Sequence, residues 1–443
     1  MLIAPITRPL NAVVRVPGSK SLTNRALLIA ALTGGKTQIT NALFSDDSRY
    51  FAKALQTLGF DVQLDEINHT MTVAGLGGKI PETKAELFIG NAGTAARFLS
   101  AFLTLGHGEY ILDGDSRMRE RPIGDLVEAL TQLGCNIQPV QKAAGRKQIS
   151  PPLKILASGL KGGKVKIAGD ISSQFLSALL MTAPYAQSPI EVELATELNS
   201  KPYVDMTLSV MQDFGVEVER DGYEYFSVPL TSYKLQVTGI VTRNSYPVES
   251  DASAASYFFA APAICGGSVT VENISRKSVQ GDIGFLDVLR QMGCIVTESN
   301  NAITVHRPSS IAGVDIDMRD IPDTAQTLAA IAPFADSPTR IRGIASARVK
   351  ETDRIHAACV ELARLGVQVE EHEDGMTIYP TFNLQPSTFK PATIQTYNDH
   401  RMAMAFSLIG LRSDGVTIEN PSCVSKTFPN YFEVLNQLRS QPA

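Results

Sequence analysis

Leu58-Gly59-Phe60-Asp61-Val62 decides the fold, because the same pattern returns as Leu133-Gly134-Cys135-Asn136-Ile137, Phe214-Gly215-Val216-Glu217-Val218, Met292-Gly293-Cys294-Ile295-Val296 and Leu365-Gly366-Val367-Gln368-Val369. Each copy predicts a helix end, a glycine closing the last turn in the left-handed conformation, and a short strand of alternating polarity. The copies recur roughly every 75 residues, which marks an internal repeat.

A second pattern alternates with the first: small polar residues, an Ala-rich apolar helix, a Gly or Ser turn and a β-branched strand. It begins near Ser19, Asn91, Ser172, Asp251, Asp323 and Asp399. The strands it predicts are Thr37 to Thr40, Glu109 to Leu112, Ile190 to Glu193, Ser268 to Val271, Thr339 to Arg342 and Gly415 to Ile418. Six units of helix, strand, helix, strand result, an α/β architecture.

The sixth unit starts its last helix around Tyr431 to Leu438 with no strand after it, and Val13 to Val16 is expected to supply that strand. The N-terminus then closes against the C-terminus. One domain covers residues 18–237, the other 1–17 plus 238–443, with two crossing connections as a hinge. A solenoid is the competing arrangement, but long, imperfect units and the split closure favour two compact lobes.

With 443 residues, 44% hydrophobic and 19% charged, the chain is long enough for two or three cores. Its net charge of −5 argues against a nucleic-acid or membrane-surface partner, so any anion must be held by local geometry. The cysteines Cys135, Cys265, Cys294, Cys359 and Cys423 are odd in number and scattered, which fits reduced thiols. The first residues lack a basic-then-apolar leader pattern and no apolar run approaches a membrane span, so a cytoplasmic location is expected.

Several helix starts carry charge that capping does not require. Lys20-Ser21-Leu22-Thr23-Asn24-Arg25 puts two cations where the helix dipole disfavours them by ~0.3 to 1 kcal/mol each. Gly90-Asn91-Ala92-Gly93-Thr94-Ala95-Ala96-Arg97 leaves backbone amides bare, and Asn398-Asp399-His400-Arg401 repeats the cationic start. Cations there make sense when an anion sits on the helix N-terminus, and three starts per lobe facing a cleft would hold a multiply charged ligand. Further cations are Arg117, Arg119 and Arg121, and Lys350 and Arg354 after a Gly-containing strand end, where binding residues gather or a solvated helix face lies.

Other motifs fail. Gly34-Gly35-Lys36-Thr37 imitates a P-loop tail, but Ala30 occupies the first glycine position and a strand follows Lys36. The six histidines form no ligand-spaced pair, so no metal site is expected, and no nucleophile-elbow or Cys-His signature occurs.

The segments Pro17-Gly18-Ser19-Lys20-Ser21, Gly90-Asn91-Ala92-Gly93-Thr94-Ala95, Arg119-Glu120-Arg121-Pro122, Ser172-Ser173-Gln174-Phe175, Ser200-Lys201-Pro202-Tyr203, Ile321-Pro322-Asp323, Arg348-Val349-Lys350-Glu351-Thr352-Asp353-Arg354 and Tyr397-Asn398-Asp399-His400-Arg401 resemble, in order along the whole chain, the 5-enolpyruvylshikimate-3-phosphate synthase family, in its glyphosate-sensitive class. The resemblance implies a two-domain inverse α/β barrel with three βαβαββ repeats per domain. It implies transfer of the enolpyruvyl group of phosphoenolpyruvate to the 5-hydroxyl of shikimate 3-phosphate, with no metal or organic cofactor, in a monomer.

By the same resemblance, Lys20, Ser21, Arg25, Ser172, Ser173, Gln174, Ser200, Tyr203, Asp323, Ser346 and Lys350 hold shikimate 3-phosphate. Lys20, Gly93, Arg121, Gln174, Arg354, His400, Arg401 and Lys426 hold phosphoenolpyruvate. Asp323 takes the proton of the attacking hydroxyl, while Glu351 and Lys20 handle proton transfer at the methylene carbon and leaving phosphate. The chain departs from the family at Phe98, commonly proline, Ala96, commonly methionine, and Ser346, commonly asparagine.

The nearest alternative is the related enolpyruvyl transferase acting on UDP-N-acetylglucosamine, whose reactive cysteine is replaced here by Ser116. An RNA-end-processing cyclase would need a basic face. A non-catalytic anion-binding protein would keep the arginines but need neither Asp323 nor Glu351.

Overall fold

A computed structural model describes residues 1–140, 148–228, 243–307, 309–381 and 389–440. The chain divides by its internal contacts into two compact units, Gly18–Val248 and Met1–Pro17 with Glu249–Ala443. The expected boundary near residue 237 lies outside the described residues. The division falls at Val248 because the strand Ser245–Pro247 pairs in parallel with Gln38–Thr40 and so belongs to the first unit.

In unit 18–248 the Ala-rich segments form three helices, Lys20–Leu32, Gly93–Phe102 and Ser173–Thr182, which pack on one another. Their burial is nearly complete all round, as small side chains permit. Four-stranded sheets lie against them with alternating buried and exposed residues. In one, Lys84–Phe88 runs parallel to His107–Asp113, followed by antiparallel Leu153–Ser158 and Asn136–Pro139. Helices at the centre and sheets outside make this an inverse barrel.

The other unit repeats the plan. Its central helices are Ala252–Cys265, Ala325–Ile331 and His400–Arg412, again packed on one another. All six predicted β-branched strands form, and Gly59, Gly134, Gly215, Gly293 and Gly366 all have positive φ, between 81° and 97°. The third copy differs slightly: the strand after Gly215 begins at Glu219 rather than Val216.

The closure of the sixth unit differs from expectation. The strand Leu10–Arg15, which contains Val13, pairs in parallel with Gly267–Glu272, in the fourth unit. The sixth sheet is instead met by the first residues: Leu2 bridges Thr417, and Ile3 N–H donates to the Val416 carbonyl at 2.9 Å. The termini do meet, through residues 1–3 on the sixth sheet and through the helix Tyr431–Ser440 against Leu10–Arg15. Alternation along Leu10–Arg15 fits any half-buried edge position, so it could not name its partner.

Candidate active site

In unit 18–248, Ser19 caps the helix Lys20–Leu32 by accepting from Leu22 N–H, and Lys20, the first helical residue, pairs with buried Asp47 at 3.4 Å. Arg25 turns inward. It is 1% exposed and donates to Thr207 Oγ1 at 2.8 Å, Ser21 O at 3.0 Å and Tyr203 O at 3.0 Å. Burial pulls its pKa down to about 10, against the opposing influence of Tyr203 and Tyr246. Arg25 therefore fixes Ser21 and Tyr203. Its guanidinium also lies 5.4 Å from the centre of the buried Phe98 ring.

The helix Gly93–Phe102 starts without a side-chain cap. A Cβ on Gly93 would lie 2.5 Å from Arg121 Nη2 and 2.8 Å from Arg121 Cζ, so glycine is what admits the guanidinium at this helix start. Arg121 is buried and donates to Asn91 O at 3.2 Å and Asn91 Oδ1 at 3.0 Å. Arg117 and Arg119 behave differently, forming partly exposed ion pairs with Glu120 and Asp113. Ser172 caps the third helix by accepting from Gln174 N–H, beside Ser173. Ser200 sits at φ 58° and opens the helix Lys201–Asp213, which carries Tyr203 in its first turn.

The other unit gathers charge more densely. Asp323 lies in a single turn, Pro322–Thr324, at the start of its central helix. Its Oδ1 accepts from Arg354 Nη1 at 3.1 Å and its Oδ2 from Arg401 Nη2 at 2.6 Å. Arg354 also donates to Glu351 Oε2 at 2.8 Å and to Asp399 Oδ2 at 2.7 Å. Lys426 reaches Glu351 Oε1 at 3.1 Å. Asp399 caps the helix His400–Arg412 by accepting from Arg401 N–H, with His400 Nδ1 3.6 Å from its Oδ1.

Burial alone would lower the Arg354 pKa, but the carboxylates of Asp399, Glu351 and Asp323 outweigh it and the pKa is raised. The guanidinium is a fixed cation. Within this network Asp323 and Glu351 each bridge two cations, which places two carboxylates able to move protons among groups able to neutralise an anion. Lys350 and Ser346 are half-buried on and beside the turn Ala345–Val349. Arg348, by contrast, is tied to Asp353, Glu371 and the His372 carbonyl.

Thus the structure brings Asp323, Glu351, Arg354, His400, Arg401 and Lys426 together in one unit, and Gly93 with Arg121, and Ser21, Arg25 and Tyr203, in the other. Sequence reasoning missed Asp47, Tyr257, whose hydroxyl lies 3.5 Å from Arg401 Nη1, and Asp282. Among the described residues no helix is long and apolar enough to cross a membrane.

The fold with its two inverse barrels is that of the enolpyruvyl transferases. The chain matches the structure of the enolpyruvyl transferase NikO from Streptomyces tendae with a TM-score of 0.75 over 99% of this chain and 96% of that one, a likeness of fold at 16% identity. It matches EPSP synthase from Acinetobacter baumannii with a TM-score of 0.80 and 26% identity, covering 99% and 97% of the two chains.

Residues 5–435 match the family model for EPSP synthase (3-phosphoshikimate 1-carboxyvinyltransferase). A 3-phosphoshikimate 1-carboxyvinyltransferase of Sulfurovum sp. is 49% identical over 98% of both chains. The chloroplastic one of Brassica napus is 48% identical over 99% of this chain and 85% of its own. The chain belongs to the EPSP synthase family.

Proposed function

We propose that this chain transfers the enolpyruvyl group of phosphoenolpyruvate to the 5-hydroxyl of shikimate 3-phosphate and releases phosphate, a step of aromatic amino acid biosynthesis. The observation that carries the reading is the network in which Asp323 and Glu351 share Arg354, with Arg401 and Lys426 completing it. Both substrates are multiply anionic, and the chemistry needs carboxylates that exchange protons beside fixed cations.

In this reading Asp323 takes the proton of the 5-hydroxyl as its oxygen bonds to C2 of phosphoenolpyruvate. Glu351, with Lys20, delivers a proton to the methylene carbon, and its return to the protein accompanies loss of phosphate from the tetrahedral intermediate. Lys20, Gly93, Arg121, Gln174, Arg354, His400, Arg401 and Lys426 hold phosphoenolpyruvate. Lys20, Ser21, Ser172, Ser173, Gln174, Ser200, Tyr203, Asp323, Ser346 and Lys350 hold shikimate 3-phosphate, with Arg25 acting through the positions it fixes for Ser21 and Tyr203. The enzyme works as a cytoplasmic monomer without metal or organic cofactor.

Glyphosate competes with phosphoenolpyruvate at Gly93 and Arg121, with inhibition weakened by Phe98 at the proline position. Phosphate release from phosphoenolpyruvate, with and without shikimate 3-phosphate, tests the reaction. Release that does not depend on shikimate 3-phosphate refutes it.

A further inference from the structure

Beside Asp323 lies a second acid that the reaction as described does not use. Asp282 sits in the turn Gly281–Gly284, which packs on the helix Ala252–Cys265 and on the turn Pro322–Thr324. Gly284 abuts the Ile321 side chain, 3.6 Å from where a Cβ would stand. Gln280 pins the turn, its Oε1 accepting from Ala252 N–H at 3.1 Å and its Nε2 donating to Ser250 O at 2.7 Å. Asp282 is buried, and Ser253 Oγ donates a short hydrogen bond to its Oδ2.

The charges around this carboxyl come from every element packed on it. Asp323 and Asp251 repel its ionised form, and Arg401 attracts it. From the neighbouring helix Phe285–Gln291, Asp287 is paired with Arg276, which also donates to Ile283 O at 2.8 Å. Tyr257 lies on the central helix beneath, against Arg401. Arg401 is thus shared: its Nη2 holds Asp323 while its charge also acts on Asp282.

We propose that Asp282 is a positioning residue for the reaction: its buried carboxyl, oriented by Ser253, competes with Asp323 for Arg401 and so sets how good a proton acceptor Asp323 is. The inference rests on the reading of Asp323 as that acceptor. When Asp282 is neutral, Arg401 belongs to Asp323 and holds its carboxylate as a weak base. When Asp282 ionises, the clamp loosens and a second negative charge raises the proton affinity of Asp323. Burial first, then the charge of Asp323, pushes the Asp282 pKa up to about 7, against Arg401 and the Ser253 hydroxyl, so the change falls at neutral pH.

The experiment is the pH profile of kcat for the full chain at saturating substrates, for wild type, Asp282→Asn, Ser253→Ala and Asp323→Asn. Wild type rises through a midpoint near pH 7. Asp282→Asn loses that inflection, with kcat above it lower by on the order of 10-fold and KM for shikimate 3-phosphate little changed. Ser253→Ala, which loses a bond to the charged form, moves the midpoint upward.

If wild type shows no inflection, or Asp282→Asn keeps it, whether or not kcat falls uniformly, Asp282 is structural and the proposal is overturned. An unmoved midpoint in Ser253→Ala overturns it independently, even if Asp282→Asn fails to fold. Near-normal turnover by Asp323→Asn instead removes Asp323 as the acceptor, a different failure from an inactive Asp323→Asn beside an unaltered Asp282→Asn profile.

Discussion

Gly93→Ala is the sharpest test of the proposed phosphoenolpyruvate pocket. The new Cβ would stand 2.5 Å from Arg121 Nη2 and 2.8 Å from both Cζ and Nη1. Normal contact lies near ~3.5 Å, so the guanidinium must retreat by about 1 Å. Its bonds to Asn91, at 3.0 and 3.2 Å, stretch with it. A displaced charged donor forfeits ~1.5 to 3 kcal/mol of anion binding, which is roughly 10- to 100-fold in KM for phosphoenolpyruvate. Backbone strain does not add to this: Gly93 has no positive φ and opens a helix, where alanine is tolerated. The expected result is a raised KM for phosphoenolpyruvate, an unchanged KM for shikimate 3-phosphate, a Tm that does not fall, and a larger inhibition constant for glyphosate. Steady-state kinetics and a thermal melt decide it. An unchanged KM for phosphoenolpyruvate with a folded variant refutes the pocket assignment.

Asp323→Ala and Glu351→Ala should each cut turnover by at least ~10²-fold while shikimate 3-phosphate binding, measured by calorimetry, survives; near-normal turnover removes the residue from the chemistry. Arg25→Ala deletes three buried hydrogen bonds and the contact with Phe98, so a loss of ~3 kcal/mol in denaturant unfolding is expected, and a loss under ~1 kcal/mol contradicts its role as a tie. Asp282 has a folded-state pKa raised from 3.8 to about 7, so its contribution is fully present below pH ~4 and lost as pH rises through ~7. Asp282→Asn should therefore gain stability relative to wild type as pH rises from ~5.5 to ~8, by ~2 kcal/mol, and an equal pH dependence of Tm in both proteins contradicts the burial argument.

The sequence pattern made the repeat legible because its signals are local. Ser19, Ser172, Asp251 and Asp399 each cap a helix within three residues, and each Gly after Leu, Phe or Met takes the positive φ that only its missing Cβ makes easy. What stayed hidden depends on partners far along the chain. Lys20 finds Asp47, Arg354 finds Asp399, and Arg401 finds Asp323 78 residues away, none of which a spacing rule announces. Arg25 illustrates the same limit: its ties to Thr207 and Tyr203 reach across about 180 residues that no spacing rule connects. The strand that closes the sixth sheet was misplaced because three residues at the N-terminus carry too little pattern to compete with the clear alternation of Leu10–Arg15.

The two units load their helix starts to different degrees. In unit 18–248 the start at Gly93 has no side-chain cap, and Lys20 is paired with one buried carboxylate, Asp47. In the other, every cation of the network is already balanced by a carboxylate. Removing six charged groups from water carries a desolvation cost that offsets their pairing, and such clusters are poor evidence for stability. Stability therefore does not explain the network. Its persistence is better explained by reactivity: donors fixed before the substrate arrives need no reorganisation when charge moves in the transition state. On the proposed mechanism two of the carboxylates that fix those donors, Asp323 and Glu351, are also the groups that exchange protons. Basicity and anion affinity are therefore coupled through Arg354 and Arg401, and a substitution at either arginine alters both at once.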